Sequence, residues 1–300
     1  MSHHNARLGA AYNLRGAVFM VLSMAGFAVE DSLLKQAAVS LPPGQVLITF
    51  GAFGTAAFAV LSLLAGEAPL TRAMLGRAMI LRSLSEVTGR LFYMLAIALT
   101  PLSTASAILQ ATPLVVMVGA AVLFHERIGP RRWLAVALGF GGVLLILRPG
   151  TEGFGPLSLL AIMAMLGFAG RDLATRAAPV SLSFRQLGVA GFFMLIVAGL
   201  IVLPFGGPPA APDGATWAGL LAASATGVCA YALLTAAMRT GQVGAVTPFR
   251  YTRLIFAMVA GVALFGERPD RWTIAGSAVI ILAGIVALRL SRQPATAQAA

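Results

Sequence analysis

The chain has 300 residues, of which 59% are hydrophobic and only 10% are charged. Soluble domains carry about one quarter charged residues, so this composition excludes an ordinary soluble protein and indicates a polytopic membrane protein. The net charge of +11 does not indicate nucleic-acid binding, because the basic residues cluster between apolar runs, where they orient a membrane protein.

A hydrocarbon core about 30 Å thick requires roughly 20 apolar helical residues per crossing. Runs of this kind are broken at Gly, Pro and charge clusters such as "GEAPLTR" and "FGGPPAAPDG". The sequence therefore predicts an all-α integral membrane protein with ten transmembrane helices and no extramembrane domain. In chain order the predicted helices are 14–38, 44–65, 78–98, 102–124, 132–148, 156–177, 184–204, 215–238, 244–265 and 272–290.

The basic residues are unevenly distributed between the two sides of the membrane. With the N-terminus inside, the outer side receives only Lys35, Arg148, Arg268 and Arg271. This bias is the positive-inside pattern, so we expect a multi-pass protein of the cell (inner or plasma) membrane with both termini in the cytoplasm. The cytoplasmic side receives Arg7, Arg15, Arg72, Arg77, Arg127, Arg131, Arg132, Arg176, Arg185, Arg239, Arg289 and Arg292.

An internal repeat spans the chain. Residues 26–45 match residues 167–186, at a shift of 141, with nine identities in twenty positions, and the same shift relates "LFHER" to "LFGER". A constant offset of this kind indicates duplication, with repeats at 1–150 and 151–300. Because each repeat holds five predicted helices, an odd number, the second must enter the membrane from the opposite side. Inverted repeats of this kind are typical of transporters that alternate between two open states.

Charged residues interrupt the apolar helices near mid-membrane. Once Arg82 is treated as interfacial, the four acids and four bases balance. Each would cost about 2.5–3.5 kcal/mol at a helix centre, so a balanced set predicts mutual pairing or contact with a wet cavity. The residues are Glu30, Asp31, Glu86, Arg90, Arg171, Asp172, Arg250 and Arg253.

Polar and aromatic residues near these charges complete the predicted cavity. Asp31 and Asp172 either lock helix packing by pairing with buried arginines or bind substrate or protons. Arg250 and Arg253 are expected to offer unpaired guanidinium donors, which suit a carboxylate. Glu86 and Arg90 have the same two alternatives, and Gln110 and Tyr251, at equivalent places in the repeats, can each hydrogen-bond a ligand. The aromatic candidates, each also compatible with a core or lipid-facing position, are Phe27, Tyr93, Phe168 and Tyr231.

Two prolines and two glutamates occupy special positions. Pro113, in the middle of the fourth helix, should kink it and serve either as a packing kink or as a gating hinge. Pro248 lies near the start of the ninth helix, where proline is tolerated, and is the second hinge candidate. Glu126 and Glu267 end helices 4 and 9, and we expect them to cap the N-terminus of the helix that follows.

Several chemistries lack their residues. The chain has no GxxxxGK[ST] phosphate loop, because its only lysine is Lys35, and no HExxH, because its histidines are His3, His4 and His125. With one cysteine, Cys229, it cannot form an intramolecular disulfide. We therefore expect no catalytic residues, metal, cofactor, nucleic-acid partner or ATPase subunit, and no enzyme activity.

The ends of the two halves resemble a known family. Each half runs "LF(H/G)ER", then Trp, then an apolar helix ending "GGVLLILRPG" or "AGIVALRLS", which resembles the drug/metabolite transporter superfamily of the EamA type over nearly the whole chain. The typical Gly-Glu corner is present as Gly266-Glu267 but is His125-Glu126 in the first half. The typical proline matches Pro113, whereas Leu254 stands at the second position.

This resemblance implies transport of small metabolites through a central cavity between the repeats, and is nearest to YddG-type exporters of aromatic and other amino acids. A zwitterion needs a cation, such as Arg250 or Arg253, and an anion, such as Asp31 or Glu86. An apolar side chain needs walls, and the chain has 12 Met and 17 Phe. The alternatives are a riboflavin-like, nucleotide-derived or cationic-drug substrate and, in another class, a membrane scaffold or enzyme.

Overall fold

A computed structural model describes residues 2–123, 125, 129–148, 155–179, 181–240 and 247–290, without the side chains of 2–13, 132, 176, 238–239, 247–248 and 287–290. This part of the chain is helical and contains no strand, which confirms the predicted class. Its helices are α1 (Ser2–Ser40), α2 (Pro43–Leu64), α3 (Arg77–Leu99), α4 (Leu102–Leu109), α5 (Thr112–Leu123), α6 (Pro130–Leu147), α7 (Leu159–Arg176), α8 (Phe184–Val202), α9 (Gly214–Thr240), α10 (Thr252–Phe265) and α11 (Arg271–Leu290).

Within the described residues these helices form the ten predicted spans, because α4 and α5 share the fourth. Six spans are long and apolar enough to cross a membrane on length and composition alone. α3 has sufficient length but carries three charges within the membrane, Arg82, Glu86 and Arg90, whose partners are described below. The six are Leu14–Ser40, Pro43–Leu64, Leu102–Leu123, Pro156–Thr175, Phe184–Phe205 and Gly214–Ala237.

Helix pairing follows the symmetry of two inverted repeats. α1 packs along α9, α2 along α8 and α3 along α7, while α6 packs along α11 and α4 contacts α10. The first span of each repeat therefore pairs with the third span of the other, and the second, fourth and fifth spans pair with their own counterparts. This reciprocal arrangement is that of a pseudo-two-fold axis. The prediction of two inverted five-helix repeats is confirmed.

Small residues set the closest approaches between the repeats. Where α3 crosses α7, a Cβ added to Gly167 would lie 2.4 Å from the backbone nitrogen of Gly89, so these backbones are in direct contact. The equivalent crossing of α1 and α9 is looser, because a Cβ on Gly26 would meet the Cβ of Ala230 at 3.0 Å. Close backbone approach through small residues replaces the hydrophobic effect as a source of helix association in lipid.

The fourth span is interrupted, where the sequence predicted only a kink. α4 ends at Leu109 and α5 begins at Thr112, because Pro113 lacks the N–H that would bond to the Leu109 carbonyl. That carbonyl accepts a hydrogen bond from the Thr112 hydroxyl at 2.5 Å. A role for Pro113 in gating stays a prediction.

The ninth span differs in a similar way. It begins with a 3₁₀ segment, Thr247–Tyr251, and becomes α-helical only at Thr252. Pro248 therefore lies in a 3₁₀ segment and not in the first turn of an α-helix, and its role as a hinge also stays a prediction. The first residues predicted for this helix, 244–246, lie outside the described residues.

Candidate functional site

The two adjacent acids of α1 are fully buried and contact different partners. Glu30 pairs with Arg90 of α3 at 3.3 Å, and its other oxygen faces Gly227 of α9. Asp31 accepts hydrogen bonds from the Tyr93 hydroxyl at 2.8 Å and from Arg253 of α10 at 2.7 Å. Successive helical residues point about 100° apart, so the two carboxylates bind α1 to α3 and to α10 separately.

Glu86 of α3 is the hub of a second group of charges. Its carboxylate lies 3.3 Å from Arg90, 3.5 Å from Arg171 of α7 and 3.6 Å from Arg82. The side chain of Arg82, which the sequence placed near the membrane interface, is only 4% exposed. It is buried because Glu86, one turn away, neutralises it and the Thr175 hydroxyl accepts a hydrogen bond from its Nε at 3.1 Å.

Three of the predicted aromatic residues lie against arginines. The Phe168 ring lies 4.9 Å from the Arg171 guanidinium and 5.7 Å from that of Arg90. Arg253 lies 5.2 Å from the Phe27 ring and 5.7 Å from the Tyr93 ring. Cation–π contacts of this kind are most favourable where the cation is desolvated. These aromatic faces therefore help to solvate the buried arginines.

The exposed part of this charged network lies on α7. The side chains of Arg171 and Asp172 are 22% and 27% exposed, and they pair with each other at 2.8 Å. The carboxylates of Glu30, Asp31 and Glu86, by contrast, are at most 3% exposed. Arg171 and Asp172 are therefore more accessible than the three carboxylates of α1 and α3. Tyr231, also predicted to line the cavity, is partly buried and packs edge-on against Phe58.

Gln110 and Tyr251 occupy equivalent positions in the two repeats and contact each other. The Gln110 amide donates to the carbonyls of Tyr251 at 3.3 Å and Arg250 at 3.4 Å, which places this contact beside the pseudo-two-fold axis. The amide nitrogen of Gln110 is thus used to position the 3₁₀ segment.

The two arginines of this region were expected to be unpaired. For Arg253 that expectation is wrong, because Asp31 binds it. Among the described residues, the Arg250 side chain has no ion-pair partner within 4.0 Å and no hydrogen-bond acceptor. The two guanidinium groups, three residues apart in sequence, are therefore in different chemical situations.

A polar corner lies at one end of the fourth span. Glu267 accepts from the backbone N–H of Leu102 at 2.6 Å and of Ser103 at 3.0 Å, and from the Ser103 hydroxyl at 2.8 Å. It thus caps the N-terminus of α4 in the other repeat. The sequence analysis expected it to cap the helix that follows it in the chain. That helix, α11, is capped by Asp270, which accepts from Thr273 N–H at 2.8 Å. Gly266, at φ 62°, turns the chain back and makes this cross-repeat cap possible.

Sequence reasoning gave Lys35 no role in this corner. Its ammonium group donates to the carbonyls of Ile97 at 2.8 Å and Thr100 at 2.7 Å and lies 3.7 Å from Glu267. The signal in the sequence was a basic residue at the same place in both repeats, Lys35 and Arg176. Glu126, the other predicted corner residue, lies outside the described residues.

Within the part of the chain that the structure describes, no group of three or more His, Cys, Asp or Glu side chains is placed to hold a metal ion. The acids of the central network are spread over different helices and are matched by arginines instead.

The sequence matches known transporters. The profile of the EamA-like transporter family matches residues 14–148 and 155–289. The chain is 30% identical over 293 residues to the pseudopaline exporter CntI of Pseudomonas aeruginosa, covering 92% of this chain and 97% of that protein. It is 28% identical over 203 residues to an S-adenosylmethionine uptake transporter of Rickettsia felis, covering 67% and 68%.

Two further similarities extend over most of the chain. A riboflavin transporter of Vibrio cholerae is 26% identical over 278 residues, covering 90% of this chain and 91% of that protein. A solved crystal structure superposes with a TM-score of 0.61 at 18% identity, covering 94% of this chain and 98% of that one. At that identity the structural match shows the fold alone.

Proposed function

The chain belongs to the EamA-like transporter family, and from this premise we propose that it exports amino acids or closely related amphoteric metabolites, with a preference for aromatic or hydrophobic side chains. As a membrane transporter, it acts on a small molecule and resides in the lipid bilayer. We propose alternating access through the cavity between its repeats, 1–150 and 151–300, in the inner or plasma membrane with both termini in the cytoplasm. Reporter fusions to each terminus test this orientation.

The observation that carries the proposed substrate is the exposed Arg171–Asp172 pair. It lies in the middle of an apolar bundle, beside the ring of Phe168, and is the most exposed of the central ion pairs. A zwitterion offers a cation for Asp172 and an anion for a nearby guanidinium, so its entry replaces one ion pair by two. An apolar side chain would then occupy the aromatic and aliphatic surface around Phe168.

The named relatives are compatible with an amphoteric solute. The Rickettsia relative is an uptake transporter of S-adenosylmethionine, a compound that contains the amino-acid head group of methionine. The Pseudomonas relative is an exporter. These names support the proposed substrate class and leave the direction of transport to experiment.

A second candidate substrate is a larger, neutral aromatic metabolite. The ring pair of Tyr93 and Phe168 favours it, and so does the similarity to a riboflavin transporter. Against it stands the use of these rings by arginines, which leaves less aromatic surface free for stacking. Flux of riboflavin without flux of amino acids would support this candidate.

Reconstituted liposomes test the proposal. Vesicles preloaded with unlabelled phenylalanine should accumulate labelled phenylalanine with saturation, and Asp172→Asn should abolish most of this exchange. Arg72→Gln, at an exposed position between α2 and α3, is a matched control that should exchange at the native rate. No exchange of any amino acid would contradict the proposed substrate, and no flux of any solute would favour a membrane scaffold. Repeating the flux with a pH gradient tests proton coupling.

A further inference from the structure

Within the residues whose side chains the structure describes, the central network holds one more positive than negative group. Among the described residues it contains five arginines, of which four are bound to the four carboxylates. The fifth, Arg250, is half-buried, and its side chain forms no ion pair within 4.0 Å and no hydrogen bond with a described residue. An isolated guanidinium inside a membrane protein is costly, and such residues mark substrate or ion pathways.

The backbone around Arg250 is fixed by neighbouring helices. The 3₁₀ segment Thr247–Tyr251 packs against α1 and α11, and Gln110 bonds to the carbonyls of Arg250 and Tyr251. The guanidinium lies within electrostatic range of Asp172, Arg171 and Arg253. Asp172 and Arg171 are the exposed part of the network.

The repeat makes this arginine specific to one half. The position equivalent to Arg250 in the first repeat is Leu109, which is buried and apolar. A ligand that uses Arg250 therefore finds one anion site in the cavity and not a symmetric pair. A solute with one carboxylate and one ammonium group would bind in a single orientation.

We propose that Arg250 binds the carboxylate of the transported metabolite while Asp172 binds its ammonium group. This proposal rests on the proposed function and specifies how that cavity selects an amino acid. Arg253, three residues away, is excluded from the role because Asp31 holds it. A planar guanidinium can bind a carboxylate through two charge-assisted hydrogen bonds, which gives both affinity and orientation.

A comparison of phenylalanine with phenylalanine amide tests the proposal on the purified, full-length protein. The amide keeps the ammonium group and ring but lacks the carboxylate. Affinities are measured from ligand-dependent thermal stabilisation in detergent. The native protein should have a higher affinity for phenylalanine than for phenylalanine amide. Arg250→Gln should lower that affinity about 10- to 100-fold, the size expected for a lost charge-assisted contact, and leave the amide affinity unchanged. Arg72→Gln should change neither affinity.

Each other outcome is decisive. If Arg250→Gln keeps the preference for phenylalanine, Arg250 does not bind the carboxylate, even where the liposome assay shows intact transport. If the native protein binds the amide and phenylalanine with equal affinity, or binds neither, the assignment of Arg250 is wrong. The flux assay in liposomes decides the proposed function separately. Arg250→Lys guards against misfolding, since it retains the charge and should retain the preference in weaker form. Failure of both variants to fold would make Arg250 structural and overturn the proposal.

A separate set of contacts leads to a second inference, concerning access to the cavity. The Lys35 ammonium joins α1 to the last carbonyls of α3, and Glu267 joins α10 to the first N–H groups of α4. Both side chains are mostly buried and lie 3.7 Å apart. One ion pair thus holds together the ends of four helices from both repeats.

We infer that this ion pair is a latch that must open when the cavity opens at the Lys35 end. The latch requires the helix ends of α3 and α4 to lie against α1 and α10 at once, so it exists only in conformations closed at that end. Its loss should shift the protein toward states open there, because only the closed state contains the contact.

Thiol labelling measures this opening. In a Cys229→Ser background, which removes the only cysteine, Ser106→Cys reports access to a buried position one turn inside the capped end of α4. Ser40→Cys, exposed at the end of α1, identifies the membrane side and should be labelled equally in all variants. Lys35→Met should raise the rate of Ser106→Cys labelling from that side about tenfold, and Lys35→Arg should not.

An unchanged labelling rate in Lys35→Met would overturn the latch. Glu267→Gln is the second variant, because it keeps an oxygen to cap α4 but removes the negative charge. It should accelerate the labelling of Ser106→Cys by a smaller factor than Lys35→Met does. If neither variant labels faster than the protein with the native Lys35 and Glu267, the corner is static.

Discussion

Asp31 and Asp172 are equivalent residues of the two repeats in very different surroundings. Asp31 is 1% exposed and is held by Arg253 from α10 and Tyr93 from α3. Asp172 is 27% exposed and pairs with its sequence neighbour Arg171. The same inherited aspartate is therefore enclosed by residues of two other helices in one repeat and is partly exposed in the other.

The difference follows from residues on other helices. The positions equivalent to Arg253 and Tyr93 are Thr112 and Leu234, neither of which carries a positive charge. Among the described residues, Asp172 forms its ion pair with its own neighbour Arg171, whereas Arg250 interacts with it electrostatically but lies beyond ion-pair distance. A duplicated scaffold can be specialised in this way, because changing the partners of one copy leaves the other copy to stabilise the fold.

Asp31→Asn should have the largest effect on stability. It leaves Arg253 buried without its counterion, and breaking a buried pair costs about 3–5 kcal/mol. Thermal unfolding in detergent should show the loss, and the double variant Asp31→Asn/Arg253→Gln should recover part of it because both charges are then absent. Native-like stability of Asp31→Asn would remove the distinction between the two aspartates.

The helix crossings of the two repeats should differ in their tolerance of added volume. Gly167→Ala places a Cβ 2.4 Å from the Gly89 backbone, so α3 and α7 must separate, at about 1–3 kcal/mol. Gly26→Ala meets the Cβ of Ala230 at 3.0 Å and should cost less. Thermal unfolding of the two variants side by side shows which one loses more stability. A larger loss in Gly26→Ala than in Gly167→Ala would be inconsistent with this helix packing.

Asp172→Asn should reverse the pattern seen for Asp31. Its ion pair is partly exposed, so the loss in unfolding free energy should not exceed about 1 kcal/mol. Phenylalanine exchange in liposomes should nevertheless fall at least tenfold, because the cation site of the proposed cavity is lost. A variant that is strongly destabilised but transports normally when folded would assign Asp172 to packing.

The smallest expected effect lies outside the membrane spans. Hydrogen bonds from Arg185 and then Ser183 lower the pKa of Glu67 below its ordinary value of 4.5. Because the folded protein holds the ionised form of Glu67, these contacts contribute their full stabilisation at pH values above the ordinary pKa. This stabilisation is lost as the pH falls through the lowered pKa. Glu67→Gln should therefore reduce the thermal midpoint slightly at pH 7, and the difference from native should shrink in acid. A difference that grows in acid would contradict this assignment.

The fold was largely predictable from the sequence. Apolar run length reports each span directly, and the shift of 141 residues reveals the inverted repeats. The interruption before Pro113 was only partly predicted, because proline removes one hydrogen bond wherever it lies and the surrounding packing decides whether a kink or a break results.

The site was predictable in composition but not in pairing. The acids and arginines near mid-membrane could be identified, whereas the contact of Asp31 with Arg253 joins residues 222 positions apart. The Thr175 hydroxyl that accepts a hydrogen bond from Arg82 could not be identified either, because it lies on another helix. Glu267 was recognised as a cap, but the sequence does not encode which N-terminus it reaches, since that depends on how the repeats dock.

The most direct test of the two different roles is carboxyl modification by a water-soluble carbodiimide, read out by mass spectrometry of the native protein in liposomes. A brief reaction should modify Asp172 and leave Asp31 intact, and added phenylalanine should protect Asp172. Equal modification of both aspartates, or modification of Asp172 that phenylalanine does not slow, would contradict the account.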